Sequence, residues 1–252
     1  MDLGIKGKLA LVTASSAGLG AAIANKLAQE GADLILFSRN KIKLNEMATF
    51  LQKTYSVKVH VVAGDMSIEK DVHALTQFIQ TQTSGLDILV LNSGRPPTKM
   101  QEVLQEKDFT RWTQAHQTQL WGPLLIVQNV IPLMIGRADA RVVGISSSSV
   151  KQPMKKHALS TVYRAGVAGM FKHLANELAD QGITVNLISP ASIGTEALVS
   201  SYNIQDRIQQ VPMKRIGTPE EFATVVAFFC SVHTGFITGI NVNVDGGMIL
   251  GM

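Results

Sequence analysis

The chain has 252 residues, of which 46% are hydrophobic and 17% are charged. This length and composition suit one large globular domain and exclude an intrinsically disordered protein. The net charge of +4 does not predict a nucleic-acid partner, because the lysines and arginines are scattered apart from a short group at positions 151, 155 and 156.

The single cysteine, Cys230, lies in an apolar run and is expected in the core, so no disulfide can form within one chain. No metal site is predicted. The first twelve residues, MDLGIKGKLALV, do not read as a signal peptide, and no apolar run is long enough to span a bilayer. We therefore expect a cytoplasmic protein with no membrane partner.

Apolar runs alternate with amphipathic stretches along the whole chain. Strands are predicted at 8–13, 33–37, 57–63, 86–91, 141–145, 183–188 and 239–244. Helices are predicted at 21–30, 41–54, 68–83, 106–135 and 219–232, with a further long amphipathic helix inside 146–182. This alternation predicts an α/β fold with a seven-stranded parallel sheet that carries helices on both faces.

Small residues fill the turn between the first strand and the first helix, at 13–20 (TASSAGLG). Backbone amides at such a helix start form an anion site together with the helix dipole, and glycines let a pyrophosphate approach the main chain. The next strand completes a βαβ unit of the expected size. The turn therefore predicts dinucleotide binding.

Four serines, Ser146 to Ser149, follow the strand 141–145 and precede the long helix. Ligands of open α/β sheets bind beyond the carboxyl ends of the strands, so we expect the chemistry here. The weakly patterned segment 192–213 follows another strand end, where a substrate lid would lie. The alternative is a surface connection without a role.

These residues resemble the short-chain dehydrogenase/reductase family over essentially the whole chain. The turn at 13–20 is similar to the family's TGxxxGxG turn with Ala14 at the first glycine, and the steps at 64–66 (GDM), 92–94 (NSG) and 190–195 (PASIGT) match further family elements, as do 237–239 and 244–247. The resemblance implies one Rossmann domain over 1–252 that binds a nicotinamide dinucleotide. The implied cofactor residues are Thr13, Ser15, Ser16, Gly18, Leu19, Gly20, Ser38, Arg39, Asn40, Asp65, Met66, Asn92, Ser93, Gly94, Arg164, Pro190, Ile193 and Thr195.

The family's catalytic tetrad of Asn, Ser, Tyr and Lys is altered in this chain. The flanking sequence RAGVAG at 164–169 fits the family pattern KAGxxG and places Arg164 at the lysine and Ser160 at the tyrosine. Ser147, thirteen residues before Ser160, is then the implied catalytic serine, and Gln119 stands at the asparagine. The alternative for Ser147 is a cap of the strand end.

These substitutions change the available acid–base chemistry. A serine hydroxyl is a far weaker acid than the family's phenol, and a guanidinium keeps its donors but cannot relay a proton. Tyr163, one turn after Ser160, is a replacement donor whose ionised form a nearby Arg164 would favour; the alternative is packing in a subunit interface. His157 and His116 are further candidates, and a loop histidine is more often a surface residue.

The resemblance implies an NADP(H)-dependent oxidoreductase, similar to 3-oxoacyl reductases, that acts on a small-molecule carbonyl or alcohol. NADP(H) is expected because Ser38 and Arg39 end the second strand, where an NAD enzyme carries an acidic residue. The alternatives are a catalytically silent NADP-binding sensor or partner protein, and a lyase or isomerase. A homotetramer is expected from the family and from apolar Met248, Ile249, Leu250 and Met252 in the final segment.

Overall fold

A computed structural model describes residues 1–251 as alternating strands and helices. The strands are β1 Leu9–Thr13, β2 Asp33–Ser38, β3 Val59–Ala63, β4 Ile88–Leu91, β5 Arg141–Ile145, β6 Thr184–Pro190 and β7 Asn241–Val244. The helices are α1 Gly18–Gln29, α2 Lys41–Tyr55, α3 Glu69–Gln82, α4 Phe109–His116, α5 Gly122–Val130, α6 Ala158–Glu177, α7 Glu196–Val199, α8 Ile204–Gln210 and α9 Pro219–Phe229.

The seven strands form one parallel sheet in the order β3-β2-β1-β4-β5-β6-β7. Leu11 of β1 pairs with Ile35 of β2 on one side and with Leu89 of β4 on the other. The strand order therefore reverses direction between β1 and β4, and a crevice opens beyond the carboxyl ends there. This confirms the predicted seven-stranded α/β Rossmann domain.

A hydrophobic core lies on each face of the sheet. On one face α1, α2 and α9 bury residues such as Leu27, Leu44 and Phe222. On the other face α3, α5 and α6 bury residues such as Val72 and Phe171. Strands covered on both faces must be apolar at successive positions, as the buried β4 sequence ILVL shows.

The long helix predicted at 106–135 is wrong, because the structure divides it into several segments. Asp108 caps the start of α4, and a π-helical turn at Gln117–Trp121 separates α4 from α5. The residue after Gly122 is Pro123, which has no N–H to donate to the carbonyl four residues earlier, and the Gly122 N–H bonds to the Gln117 carbonyl five residues back. Beyond α5 the chain tightens into a 3₁₀ turn at Ile131–Met134, which also contains a proline.

Other predicted boundaries shift by a few residues. Helix α1 begins three residues before the predicted start, at Gly18, while β3 and β4 each begin two residues after their predicted starts. Strand β7 begins at Asn241 because Gly239 has a φ of +74°, outside the extended region. Helix α9 ends at Phe229, three residues before the prediction.

Candidate functional site

The turn at residues 13–20 is braced by the end of β4. The Thr13 hydroxyl donates to the Asn92 carbonyl at 2.6 Å and accepts from the Asn92 N–H at 3.0 Å, and the Asn92 side-chain amide donates to the Ala14 carbonyl at 3.4 Å. A Cβ at Gly20 would lie 2.3 Å from the Ala14 carbonyl oxygen, so only glycine fits there. The turn is therefore held closely against two strand ends, where a pyrophosphate can meet its amides.

A groove of about 300 Å³ runs from this turn across the ends of β2 and β3. Of the expected cofactor residues it is lined by Ser16, Ser38, Arg39, Asn40, Asp65, Met66 and Gly94. We call it the nucleotide groove. The buried hydroxyl of Ser38 has no hydrogen-bond partner within residues 1–251, and neither have those of Ser15 and Ser93 beside the groove. Unpartnered buried hydroxyls fit a polar ligand.

Arg39 lies at the rim of the nucleotide groove. Its guanidinium is 3.6 Å from the Asp65 carboxylate, and 76% of its side chain is exposed. Asp65 also accepts from the backbone and hydroxyl of Ser67, at 2.9 and 2.7 Å, so the carboxylate is fixed. Arg39 is thus held next to the groove while its remaining donors face solvent. Asn40 uses its side-chain oxygen to cap α2.

A second and larger cavity, the main cleft, opens beyond β5 and β6 with a volume of about 1010 Å³. Three of the predicted catalytic residues, Ser147, Ser160 and Arg164, line it together with Pro190 at the end of β6. The segment 192–213 forms one wall through α7 and α8. The structure therefore brings together the strand end, the long helix and the expected lid.

Within the cluster Ser146 to Ser149, some serines make hydrogen bonds that stabilise the local fold, and some line the main cleft. Ser147 accepts a hydrogen bond from the Ser149 N–H at 3.2 Å and caps the short turn at Ser148–Val150. Ser147 also lines the main cleft, and its hydroxyl lies 2.9 Å from the Ser149 hydroxyl. The Ser148 hydroxyl donates to the Ser189 carbonyl at 3.1 Å inside the core. The Ser146 hydroxyl is buried without a partner among residues 1–251.

Arg164 is a buried cation at the floor of the main cleft. Its Nη1 donates to the Ile145 carbonyl at the end of β5, while its Nε has no partner within residues 1–251. Burial lowers the pKa of this guanidinium to about 10, so the group remains cationic at neutral pH. Ser160, one turn earlier on α6, is 8% exposed and lines the same floor.

Gln119 and Tyr163 do not line the main cleft. Gln119 lies in the π-helical turn, fully buried, and neither atom of its amide is hydrogen-bonded within residues 1–251. The Tyr163 ring packs edge-on against Trp112 and His116, at centroid distances of 6.0 and 5.7 Å. Burial raises the pKa of the Tyr163 phenol, so the expectation that Arg164 favours its ionised form is wrong. Side chains one residue apart on a helix face different directions, and Arg164 faces the strand end.

Several residues of the main cleft were missed by sequence reasoning. Tyr202 stacks on His157 with centroids 6.1 Å apart, and the Arg207 guanidinium lies 4.2 Å above the Tyr202 ring. His157 donates from Nδ1 to the Lys155 carbonyl at 2.9 Å, and burial lowers the pKa of its imidazole. This stack joins the start of α6 to α8. A tyrosine five residues before an arginine gives no recognisable signal until the fold places both beside a histidine.

Three further predicted cofactor residues, Leu19, Ile193 and Thr195, line neither cavity. Thr195 caps α7, and its Cγ2 would be 3.8 Å from a Cβ placed at Gly18, so the turn and the segment 192–213 approach each other. Ile193 is buried and pairs with Gly217 in an isolated bridge. Leu19 packs against the core beneath α1.

Comparison with known proteins identifies the family. Residues 13–249 match the family described as enoyl-(acyl carrier protein) reductase. The chain is 33% identical to the 3-oxoacyl-[acyl-carrier-protein] reductase FabG of Aquifex aeolicus, over 98% of this chain and 100% of that protein. The chain belongs to the short-chain dehydrogenase/reductase family.

Solved structures of short-chain dehydrogenases/reductases share the whole fold. L-sorbose reductase from Gluconobacter frateurii, complexed with NADPH and L-sorbose, superposes with a TM-score of 0.92 at 29% identity and full coverage of both chains. YwfH, an NADPH-dependent reductase of bacilysin biosynthesis, has a TM-score of 0.90 at 25% identity, with 98% of this chain and 100% of that chain covered. The protein is an oxidoreductase of this family with a nicotinamide cofactor.

The cavities fit this cofactor on their own residues. The tight turn at Gly20, the unpartnered hydroxyls beside the nucleotide groove and the cationic floor of the main cleft supply the small, donor-rich surface that a dinucleotide needs. Within residues 1–251 no helix is long and apolar enough to cross a membrane. In the same part of the chain, no three His, Cys, Asp or Glu side chains cluster as metal ligands would.

Proposed function

We propose that the protein is an NADP(H)-dependent reductase or dehydrogenase of small carbonyl or alcohol compounds, with an altered active site in the main cleft. The observation that supports this most strongly is the convergence of Ser147, Ser160 and Arg164 on one cleft at the end of β5 and β6. Their positions agree with the register implied by the family, although two of the residue types differ. The segment 192–213 is proposed to close over the substrate.

In this proposal each residue has a limited role. The bound nicotinamide supplies or accepts the hydride. Ser147 and Ser160 donate hydrogen bonds to the substrate oxygen and hold it at the cleft floor. Arg164 uses its free Nε to orient polar groups of the cofactor or substrate, and its positive charge stabilises developing negative charge on the substrate oxygen.

The proton requires a source other than these three side chains. A serine hydroxyl is too weak an acid, and Arg164 stays protonated even with its pKa at about 10. We propose that a water molecule hydrogen-bonded to the serine hydroxyls gives a proton to the substrate oxygen and regains one from solvent, to which the main cleft is open. Gln119 is proposed to position the π-helical turn behind Arg164 rather than to contact the substrate.

The decisive experiment is a screen of NADPH oxidation against ketones, quinones and 3-oxoacyl thioesters. We expect turnover with at least one class. With that substrate, Ser147→Ala and Ser160→Ala should each lower kcat by about tenfold to a hundredfold, because each removes one donor to the substrate oxygen. Ser84→Ala, at an exposed position outside the main cleft and outside the segment 192–213, should leave kcat unchanged. No turnover in any class would contradict the proposal.

The second candidate is a catalytically silent NADP-binding protein. The specific observation that favours it is the replacement of the family's phenol and ammonium by Ser160 and Arg164 at the cleft floor. Calorimetric titration separates the two functions. Tight NADPH binding combined with no turnover in the whole screen would support a sensor or partner role.

A further inference from the structure

The basic character of this protein is concentrated in the main cleft. The cleft is lined by six cations and one carboxylate: Arg95, Lys99, Lys155, Lys156, Arg164, Arg207 and Asp206. Removing these from the chain's 23 basic and 19 acidic residues leaves 17 basic and 18 acidic, which is close to neutral. In the sequence the basic residues are scattered apart from the group at 151, 155 and 156, and the fold brings two of that group to one cavity with four others. The excess faces one cavity.

The cleft cations have different neighbours. Arg95 borders both the main cleft and the nucleotide groove, so its charge also acts on a ligand in the nucleotide groove. Lys99, Lys155, Lys156 and Arg207 border only the main cleft, and they come from three separate segments that surround its mouth. None of these four forms an ion pair with a carboxylate anywhere in residues 1–251. Glu102 is nearby, but it accepts from the Lys156 backbone.

Arg207 is pre-oriented at this mouth. Its guanidinium rests on the face of Tyr202 at 4.2 Å, and Tyr202 in turn stacks on His157. Stacking restricts the long side chain, so less entropy is lost when its planar fork binds an oxyanion. Because burial lowers the pKa of His157, its ring is neutral at neutral pH and adds no positive charge that would repel the Arg207 guanidinium.

Arg164 on the floor of the main cleft and the cations at its mouth both attract anions. Arg164 is a desolvated cation with an unpartnered Nε, and unpaired charges in a cavity of low dielectric produce a strong attractive field for anions. A neutral substrate would gain little binding energy from this field. Cations of like charge also repel one another around an empty cleft, and a bound anion relieves that repulsion.

We propose that the substrate carries an oxyanion group, a carboxylate or a phosphate ester, bound at the mouth of the main cleft by Arg207 together with the cleft lysines. Its carbonyl or alcohol then lies on the floor at Ser147 and Ser160. This inference rests on the proposed function, since it names the substrate class of the same site. Surface lysines that only face solvent would give no such selectivity.

The test is a binding titration of the protein loaded with NADP⁺, using matched probes at low salt. The pairs are 4-oxopentanoate with its methyl ester, and dihydroxyacetone phosphate with dihydroxyacetone. We expect the anionic member of at least one pair to bind at least about tenfold more tightly, and this preference to fall as salt is added. The carboxylate and phosphate pairs identify which oxyanion the cleft prefers.

Arg207→Ala should abolish the preference, and Arg207→Lys should restore only part of it because the planar fork is lost. Arg215→Ala is the matched control: it removes the same charge from the same region, but Arg215 is paired with Glu221 and lies outside the cleft. Equal loss in both alanine variants, equal binding of the anionic and neutral probes, or no binding of any probe would overturn the inference.

The result also distinguishes the two proposals. Arg207-dependent anion binding without turnover of any substrate supports the oxyanion site and contradicts the oxidoreductase proposal. Turnover of neutral carbonyl compounds with no preference for an anion supports the oxidoreductase proposal and contradicts the oxyanion site. Turnover with KM, rather than kcat, raised in Arg207→Ala supports both, because the oxyanion contact is made equally in the bound and transition states.

Discussion

At the scale of single residues, we expect cofactor choice to depend on Arg39, the residue that follows β2. Arg39 is held 3.6 Å from Asp65 and lies beside the unpartnered Ser38 hydroxyl. A 2′-phosphate in the nucleotide groove would gain a charge-assisted bond from this guanidinium, whereas a ribose 2′-hydroxyl would gain little.

We therefore predict that Arg39→Ala weakens NADPH binding by about tenfold or more and leaves NADH binding nearly unchanged. Fluorescence titration of both cofactors measures the ratio. Lys41→Ala, which removes an exposed charge two residues away but outside the groove, is the control. Equal affinity of the wild type for both cofactors, or an unaltered ratio in Arg39→Ala, would contradict NADP(H) preference.

Tyr163 gives a second prediction for a single residue. Its ring packs on Trp112 and His116, and burial raises the pKa of its phenol, so proton transfer near neutral pH is disfavoured. Once a substrate is known, Tyr163→Phe should keep kcat within about twofold, while Ser160→Ala lowers it. Stopped-flow or steady-state rates for both variants decide this. A large loss of kcat in Tyr163→Phe, with folding intact, would restore the phenol as the proton donor.

The sequence predicted which segments meet at the site better than it predicted side-chain directions. The resemblance to the family implied Ser147, Ser160 and Arg164 as site residues, and all three line one cleft. The contact between Arg164 and the Ile145 carbonyl depends on how deeply α6 sits on the sheet, which no periodicity records. For the same reason, the burial of both amide atoms of Gln119 was not predictable.

At the scale of secondary-structure elements, the link from β1 to α1 carries a strained residue. Ala14 has a φ of +47°, in the left-handed region, at the position where the resemblance places a glycine. An alanine in this conformation costs about 1–2 kcal/mol. Glycine relieves that strain but adds chain entropy to the unfolded state, which offsets about 0.4–1 kcal/mol.

We predict that Ala14→Gly raises the free energy of unfolding by about 0.5–1 kcal/mol. Urea denaturation gives this as a higher midpoint at constant slope. The control is Ala21→Gly in α1, where an ordinary helical residue is replaced and stability should fall by about 1 kcal/mol. A fall in stability for both variants would show that the methyl group of Ala14 contributes more through packing than its conformation costs.

The helix predicted across residues 106–135 shows where element prediction failed. Its apolar spacing is continuous, so periodicity alone favours a single helix. Pro123 and the proline in the following 3₁₀ turn remove backbone donors, and the hydrogen bonds change to the five-residue and three-residue patterns at those places. Prolines inside an apolar run were the available signal. The hydrogen-bond pattern that replaces the α-helix at these prolines also depends on how the segment packs against α6, which the sequence does not record.

At the scale of the whole molecule, neither net charge nor composition revealed the cleft. The chain is +4 overall, yet its excess of basic residues surrounds one cavity formed by segments far apart in sequence. Parallel strands explain why: each βα connection returns to the same edge, so loops after β4, β5 and β6 converge whatever their separation. Fold class and cofactor turn follow from local patterns. The electrostatics of the cleft follow from topology.

The surface outside the cleft predicts assembly. Phe236 is fully exposed just before β7, the edge strand of the sheet, and Leu250 is 84% exposed near the chain end. Of the other tail residues expected at the surface, Met248 and Ile249 are half-buried, and Met252 lies outside the described residues. A second apolar patch lies at Leu104 and Phe109, which are 87% and 80% exposed. Exposed apolar side chains in different parts of the chain allow two different interfaces, as a tetramer with dihedral symmetry requires.

We predict a homotetramer, with a light-scattering mass four times the 27.2 kDa of one chain. Phe236→Asp and Phe109→Asp should each reduce the tetramer to dimers, because each places a charge in one interface and leaves the other intact; the double variant should be monomeric. Phe50→Asp, on α2 and 54% exposed, is the control and should stay tetrameric. A wild-type mass of one chain at micromolar concentration would disprove the assembly. If the wild type is a dimer, only one of the two interfaces exists. It is then the interface whose aspartate variant is monomeric.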